Sequence, residues 1–516
     1  MPPRARPRHR FRFERLLTGD RWQRDAVVAV DERGRILSVE PGGNGGCETV
    51  AGWTVPGVPN VHSHSFQRAL AGLAEGGGPD SFWSWREAMY AFLRHLTPDD
   101  VEAVTAQLYV EMLKAGFTCV GEFHYLHRRP DGGAYDDPAE MSRRVIAAAR
   151  ATGIGLVHMP VVYETGGFGG EALAGSQRRF RMDLEGAARL HAALGGEVSR
   201  HVESARPGPS ASPVQLGWAV HSLRAVSRES FARFGDFVSG GAGPAAAGEA
   251  PVHIHVAEQE KEVRDCLADR KARPVEWLLD HAPVNERWCL VHGTHVSDAE
   301  VAGVVRRGAV AGLCPTTEAN LGDGLFPLGA FAALGGRFAI GTDSHVSRSP
   351  VEELRLLDYG QRLVCRTRSV LKARRRASGT GGGRVAETST GANGPGDGVL
   401  AEAGGALAEA GGALAGAGGA LLRHAWDGGC RALAWDGGRV EVGARADLVV
   451  LDAEHPALAG RGGRAVLDSW LFSGTDNPVR DVMVGGNWVV QSGRHAREEE
   501  VGRAFTAAVK GLGTRT

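Results

Sequence analysis

The sequence predicts an α/β protein: a (β/α)8 TIM-like barrel with a small β-sandwich domain formed by both chain ends. From residue 56 onward, eight short and nearly continuous apolar runs alternate with helix-like segments, the pattern of parallel strands buried on both faces. Turn-punctuated β-like segments stand before and after this region. A chain of 516 residues is long enough for a large barrel plus a smaller domain. Periodicity alone does not separate a closed barrel from a doubly wound open sheet. The expected division is 1–55 for the N-terminal part of the β-domain, 56–435 for the barrel and 436–516 for the C-terminal part.

In order along the chain, "MPPRARPRHRFRF" is Arg-rich but lacks an apolar stretch, and its prolines oppose an amphipathic transit helix, so it reads as a solvated start to the first strand. "DAVVAVDERGRILSVEP" is two strand-like pieces around Asp31-Glu32-Arg33-Gly34, a hairpin signal. The barrel strands are expected at 57–64, 117–123, 154–163, 215–222, 251–258, 288–294, 310–318 and 337–344. Between the first two, Thr97 reads as an N-cap, Pro98 as the first helical position and Gly116 as the terminator. After the eighth strand comes a low-complexity insertion at about 376–421. Residues 377–398 have the Gly/Ser/Thr composition of a linker. At 401–421 a seven-residue unit repeats three times, but each Gly disfavours helix by about 0.8–1 kcal/mol relative to Ala, which opposes an isolated coiled coil. "ADLVVLD" and "DVMVGGNWVVQSGR" then resume the β style of the N-terminus.

Composition limits the function classes. Lys and Arg total 59 against 60 Asp and Glu, so no overall field favours nucleic acid or a membrane surface as partner. No run of about 18 apolar residues is present to span a bilayer. The seven cysteines are odd in number, scattered and without a C-x-x-C pair, which suits a reducing cytoplasm.

The chemistry lies at the predicted strand ends. In a strand, residues i and i+2 share a face, so His62 and His64 project together at the end of the first barrel strand. One H-x-H is a weak signal, but "HIHVAE" supplies His253, His255 and Glu258, "LVHGTH" supplies His292 and His295, and "IGTDSH" supplies Asp343. Imidazoles with one carboxylate suit a catalytic Zn²⁺ site, although such ligand sets also hold Fe²⁺, Mn²⁺ or Co²⁺.

These residues resemble the amidohydrolase superfamily of metal-dependent hydrolases, which adds a small β-domain to its barrel. Binuclear members carry a carboxylated lysine on strand four; "LGWAVHSLR" has none, so the resemblance implies a single metal. "PNVHSHSFQRALAGLAE", "GEFHYLH", "VHSLRAV", "HVAEQ", "VHGTH", "CPTTEANLGDG" and "GTDSHVSR" together are similar to the N-formimino-L-glutamate deiminases of histidine degradation, over residues 10–365 and again at 440–495. The resemblance implies His62, His64, His255 and Asp343 as ligands of one divalent metal, Zn²⁺ first among them. It implies Glu258, His292 and Asp343 as catalytic groups, and Gln67, Arg86, Tyr125, His221 and Arg224 as contacts to a small dicarboxylate substrate. A cytoplasmic homodimer is also expected. His253 is read as a packed barrel residue, His295 and His345 as polar loop residues, and His124 stays open. Two other readings stand beside this one: a deaminase of a heterocyclic amine on the same metal frame, and a catalytically dead scaffold.

Overall fold

The computed structural model describes residues 7–42, 46–75, 82–204, 213–240, 249–368, 370–371 and 412–515. Four strands come first: β1 (His9–Thr18), β2 (Arg21–Val30), β3 (Ile36–Pro41) and β4 (Glu48–Pro56). The Asp31–Gly34 segment makes the expected turn between antiparallel β2 and β3, and Gly34 takes φ +75° there.

The barrel follows as β5 (Val58–Ser63), β6 (Phe117–His124), β7 (Gly155–Val162), β8 (Val214–Leu216), β9 (Trp218–Ser222), β10 (Val252–Val256), β11 (Trp288–His292), β12 (Val310–Leu313) and β13 (Arg337–Ile340). All pair in parallel in the order β5-β6-β7-β9-β10-β11-β12-β13, with β8 beside β7. The ends of this path meet. Thr342 and Asp343 donate N–H bonds to the His62 carbonyl, each at 3.0 Å, and His64 donates to Asp343 O at 3.2 Å. The sheet is therefore a barrel, closed at the point where two of the expected metal ligands adjoin.

Two strand expectations need correction. The single strand expected at 215–222 is broken into β8 and β9 at Gly217, where a Cβ would stand only 2.8 Å from Met159 Cγ. The strand expected at 310–318 stops at Leu313, and Pro315 opens the helix Pro315–Leu321. Proline favours that first helical position because its missing N–H is one that a helix start leaves unpaired. The helix Pro98–Ala115 has the expected ends: Thr97 and Asp100 form a reciprocal capping box, and Gly116 sits at φ +105°.

The linker at 377–398 and the first heptad unit lie outside the described residues. The third unit enters the helix Ala417–Ala432, which buries Leu421, Leu422 and Trp426 against the barrel. Its glycines, unfavourable in isolation, permit close packing: a Cβ on Gly418 would lie 2.6 Å from the Leu467 carbonyl oxygen, and one on Gly428 would collide with the Phe338 carbonyl.

The last strands, β14 (Leu448–Leu451), β15 (Val479–Val484), β16 (Asn487–Gln491) and β17 (Arg494–His495), join β1–β4 in one eight-stranded sheet. β4 links the chain ends by pairing with β1 on one side and β14 on the other. Phe11, Phe13, Val28, Leu448, Val450 and Met483 form a separate core on this sheet. No helix among the described residues is long and apolar enough to cross a membrane, and all seven cysteines are free.

Candidate metal centre and active site

The four expected metal ligands converge at the C-terminal ends of the barrel strands. His64 Nε2 is 3.2 Å from His62 Nε2, and His255 Nε2 is 2.8 Å from it. Asp343 Oδ1 lies 3.1 Å from His64 Nε2 and 3.4 Å from His62 Nε2. One donor atom from each of the four buried residues falls within 4.8 Å of the others. On the far side of the rings, His64 Nδ1 donates to Phe123 O at 2.9 Å and His255 Nδ1 to His221 O at 3.0 Å. A carbonyl only accepts, so the proton is on Nδ1 and the bare Nε2 lone pair faces the centre. Three imidazole nitrogens and one carboxylate oxygen crowded in this way are a donor set for one divalent cation.

The electrostatics agree with that arrangement. Burial holds His62 down at about 3 and His255 well below the usual imidazole range, so both rings are neutral and available as ligands. Burial pushes Asp343 upward, but the close approach of His62 and His64 outweighs it and holds the carboxyl well below the usual carboxylate range. Three strand exits have left-handed backbone at non-glycine residues: Ala257 at φ +53°, His292 at +69° and Asp343 at +43°. Such conformations persist only where the surrounding structure enforces them.

A cavity opens onto the cluster. His64, His255 and Asp343 reach its wall, as do Gln67, Arg86, Tyr125, His221, Arg224, Glu258 and His292. His62 alone among the expected site residues does not line it. Glu258 follows β10 and stands between two groups, with Oε2 3.8 Å from Arg224 Nη2 and Oε1 3.8 Å from His292 Nε2. Its segment is held by Glu262, which accepts from Ala257 N at 3.2 Å and Glu258 N at 3.1 Å. Burial works against a charge on Arg224, yet Glu262 and Glu258 prevail and raise its pKa. Burial also works against His292, but Glu258, Glu318 and Asp343 lift it to about 10. Burial, then Arg224, depress His221, which is neutral.

The remaining polar groups are oriented by neighbours. Gln67 Nε2 donates to Tyr125 OH at 2.7 Å, and the Tyr125 ring meets His64 edge-on at 4.8 Å. Arg86 projects from the helix Phe82–Leu93, its guanidinium carbon 5.3 Å from the Tyr90 ring centre. It also lines a second pocket together with Arg94 and Arg178.

Other histidines are sorted by their partners. His253 is buried and its Nε2 bonds the Ala432 carbonyl at 2.8 Å, consistent with packing between barrel and helix. His124 is buried beside His158, with ring centres 5.2 Å apart, away from the ligand cluster. His345 corrects the expectation of a polar loop residue: it is fully buried and its ring contacts Thr342 and Ser63.

Sequence reasoning missed three buried groups. Glu122 accepts from Ser63 Oγ at 2.6 Å, Ser65 N at 2.8 Å and Tyr109 OH at 3.1 Å, bracketing His64. Glu318 lies 3.3 Å from His292 Nδ1. Tyr163 lines the cavity and packs on His221, with ring centres 4.5 Å apart. The only local signal for Glu122 was a charged residue inside the apolar run "FTCVGEF"; Glu318 lay within "CPTTEANLGDG" but was not singled out, and nothing local marked Tyr163.

A model of the amidohydrolase family matches residues 53–380. The chain is 45% identical over 501 residues to a formimidoylglutamate deiminase of Pseudomonas aeruginosa, covering 95% of this chain and 97% of that protein. Its fold matches an amidohydrolase from Brucella melitensis with a TM-score of 0.81 and 42% identity, over 98% of this chain and 100% of that one. An adenosine deaminase from Xanthomonas campestris with bound zinc shares the fold at a TM-score of 0.72 and 21% identity, over 99% of each chain.

Proposed function

Because this chain belongs to the amidohydrolase family, we propose that it hydrolyses N-formimino-L-glutamate to N-formyl-L-glutamate and ammonia. The observation that carries this reading is that Arg86 and Arg224 face the same cavity as His64, His255 and Asp343. Two guanidiniums suit two carboxylates, and a metal centre in the same cavity suits the amidine carbon. The similarity to a formimidoylglutamate deiminase supports the same substrate. The activity places the protein in histidine breakdown.

The geometry supports the following roles. His62, His64, His255 and Asp343 hold one divalent ion, for which the nitrogen-rich set favours Zn²⁺. When bound, such an ion lowers the pKa of a water to about 7 and so supplies a nucleophile at neutral pH. Asp343 takes the proton of the attacking water, and His292 beside it orients the attack. Glu258 relays one proton of that water to the imino nitrogen and the second, taken by Asp343, follows it there, so that ammonia departs rather than an amide anion. Arg224 and Arg86 bind the carboxylates, while Gln67, Tyr125 and His221 orient the chain between them.

The aromatic part of the lining, with Trp85, Tyr90, Tyr163 and Phe180, favours a second reading, deamination of a heterocyclic amine. Product analysis separates the two. Zinc-loaded protein is given N-formimino-L-glutamate, with ammonia and formamide assayed separately. Ammonia with N-formylglutamate supports deimination; formamide with glutamate places cleavage at the other C–N bond and overturns it. No turnover of this substrate, with ammonia released from a purine, supports the second reading.

A further inference from the structure

Three of the four histidines at the cavity have Nδ1 held by a carbonyl or a carboxylate, and the partners are not alike. His64 and His255, both in the ligand cluster, bond backbone carbonyls. His292 meets a carboxylate: Glu318 Oε1 lies 3.3 Å from its Nδ1. Glu318 is 3% exposed, does not line the cavity, and its Oε1 also accepts from Cys314 N at 2.8 Å. The Glu318 carbonyl accepts from Asp323 N at 2.8 Å, which further fixes this helix end.

The difference in partner has a chemical meaning. A carbonyl behind an imidazole fixes the tautomer and leaves a neutral ring for donation to a metal. A carboxylate does this too, and as a full charge it holds the ring N–H more firmly than a carbonyl does. We propose that Glu318 is a positioning residue for the reaction: it holds the Nδ1–H of His292 and directs Nε2 toward Glu258 and the cavity. Having no access to the cavity, Glu318 acts through the ring alone. The inference rests on the reading of His292 as a group that assists attack of water.

The test is a double-mutant cycle on the metal-loaded full chain with Glu318→Gln, His292→Gln and the pair, following kcat, KM and metal content. Glu318→Gln is expected to lower kcat by about 10- to 100-fold, the range typical of groups that orient a catalytic imidazole, with KM and metal content unchanged. In the His292→Gln background the same change is expected to have no further effect. A wild-type kcat in Glu318→Gln, loss of metal, or an equal loss in both backgrounds would overturn the proposal. If His292→Gln itself keeps full kcat, the role given to His292 fails first, and the proposal with it. Should Glu318→Gln not fold, ¹⁵N-histidine NMR of the unmutated protein decides: a proton on His292 Nδ1 supports the proposal and a bare Nδ1 overturns it.

Discussion

The Ser63 hydroxyl donates to Glu122 Oε2 at 2.6 Å, and this bond ties the residue between two metal-facing histidines to the neighbouring barrel strand. The other oxygen of Glu122 accepts from Ser65 N at 2.8 Å, so both neighbours of His64 are held by one buried carboxylate. Glu122→Gln replaces one acceptor oxygen with an amide donor. It is expected to weaken metal affinity by about 10- to 100-fold, as loss of ligand-orienting groups does. Competition against a chelator measures this, and an unchanged affinity would show that the H-x-H segment is held without Glu122.

His255 and Glu258 are three residues apart but face different partners. His255 Nε2 points into the ligand cluster, whereas Glu258 lies between Arg224 and His292. His255→Ala is therefore expected to abolish metal retention, while Glu258→Gln keeps the metal and loses turnover by at least about 10²-fold. Metal analysis and kcat on the same preparations test the split. Equal metal loss in both variants would remove Glu258 from proton transfer.

Arg224 is half-buried in the cavity wall, and Ser222 Oγ accepts from its Nε at 3.2 Å, which orients the guanidinium there. Arg224→Met keeps much of the side-chain length but removes the charge. A hydrogen bond to a charged group contributes about 1.5–3 kcal/mol, which corresponds to roughly a 10- to 150-fold rise in KM. Steady-state kinetics on the dicarboxylate substrate check it, and an unchanged KM would take Arg224 out of the pocket.

Two glycine-to-alanine changes should have opposite signs. At Gly428, in the helix Ala417–Ala432, a new Cβ meets the Phe338 carbonyl, which belongs to β13 and cannot step aside. Gly428→Ala is expected to destabilise by about 1–3 kcal/mol or more. In the helix Glu498–Arg515, a Cβ on Gly502 would make only ordinary contact with Gln107 Oε1 at 3.8 Å. Gly502→Ala is expected to stabilise by about 0.5–1 kcal/mol. Thermal unfolding at a fixed scan rate compares them; a neutral Gly428→Ala would mean that helix and barrel separate without cost.

The strands were readable because burial on both faces leaves an apolar run, as in "FTCVGEF" for β6 and "WCLVH" for β11. The ends of the helix Pro98–Ala115 were readable because capping is local chemistry. The stop at Leu313 was missed because "GLCPTTE" remains apolar through the point where Pro315 turns strand into helix. His345 was misread because a polar residue after a strand looks solvated until the hydroxyls of Thr342 and Ser63 are known to enclose it.

What the sequence determined by itself was which residues could carry the chemistry. Side-chain alternation sends His62 and His64 to one face, and strand-end position separates His255 from His253, because both depend on spacing along a single strand. Tertiary structure decided what faces them. Barrel closure joins the His62 carbonyl to the Asp343 amide across 281 residues, and the ring of His292 finds Glu318 from the following strand's helix. Those pairings follow from the path of the whole sheet and from the burial that it imposes, and no local pattern records either.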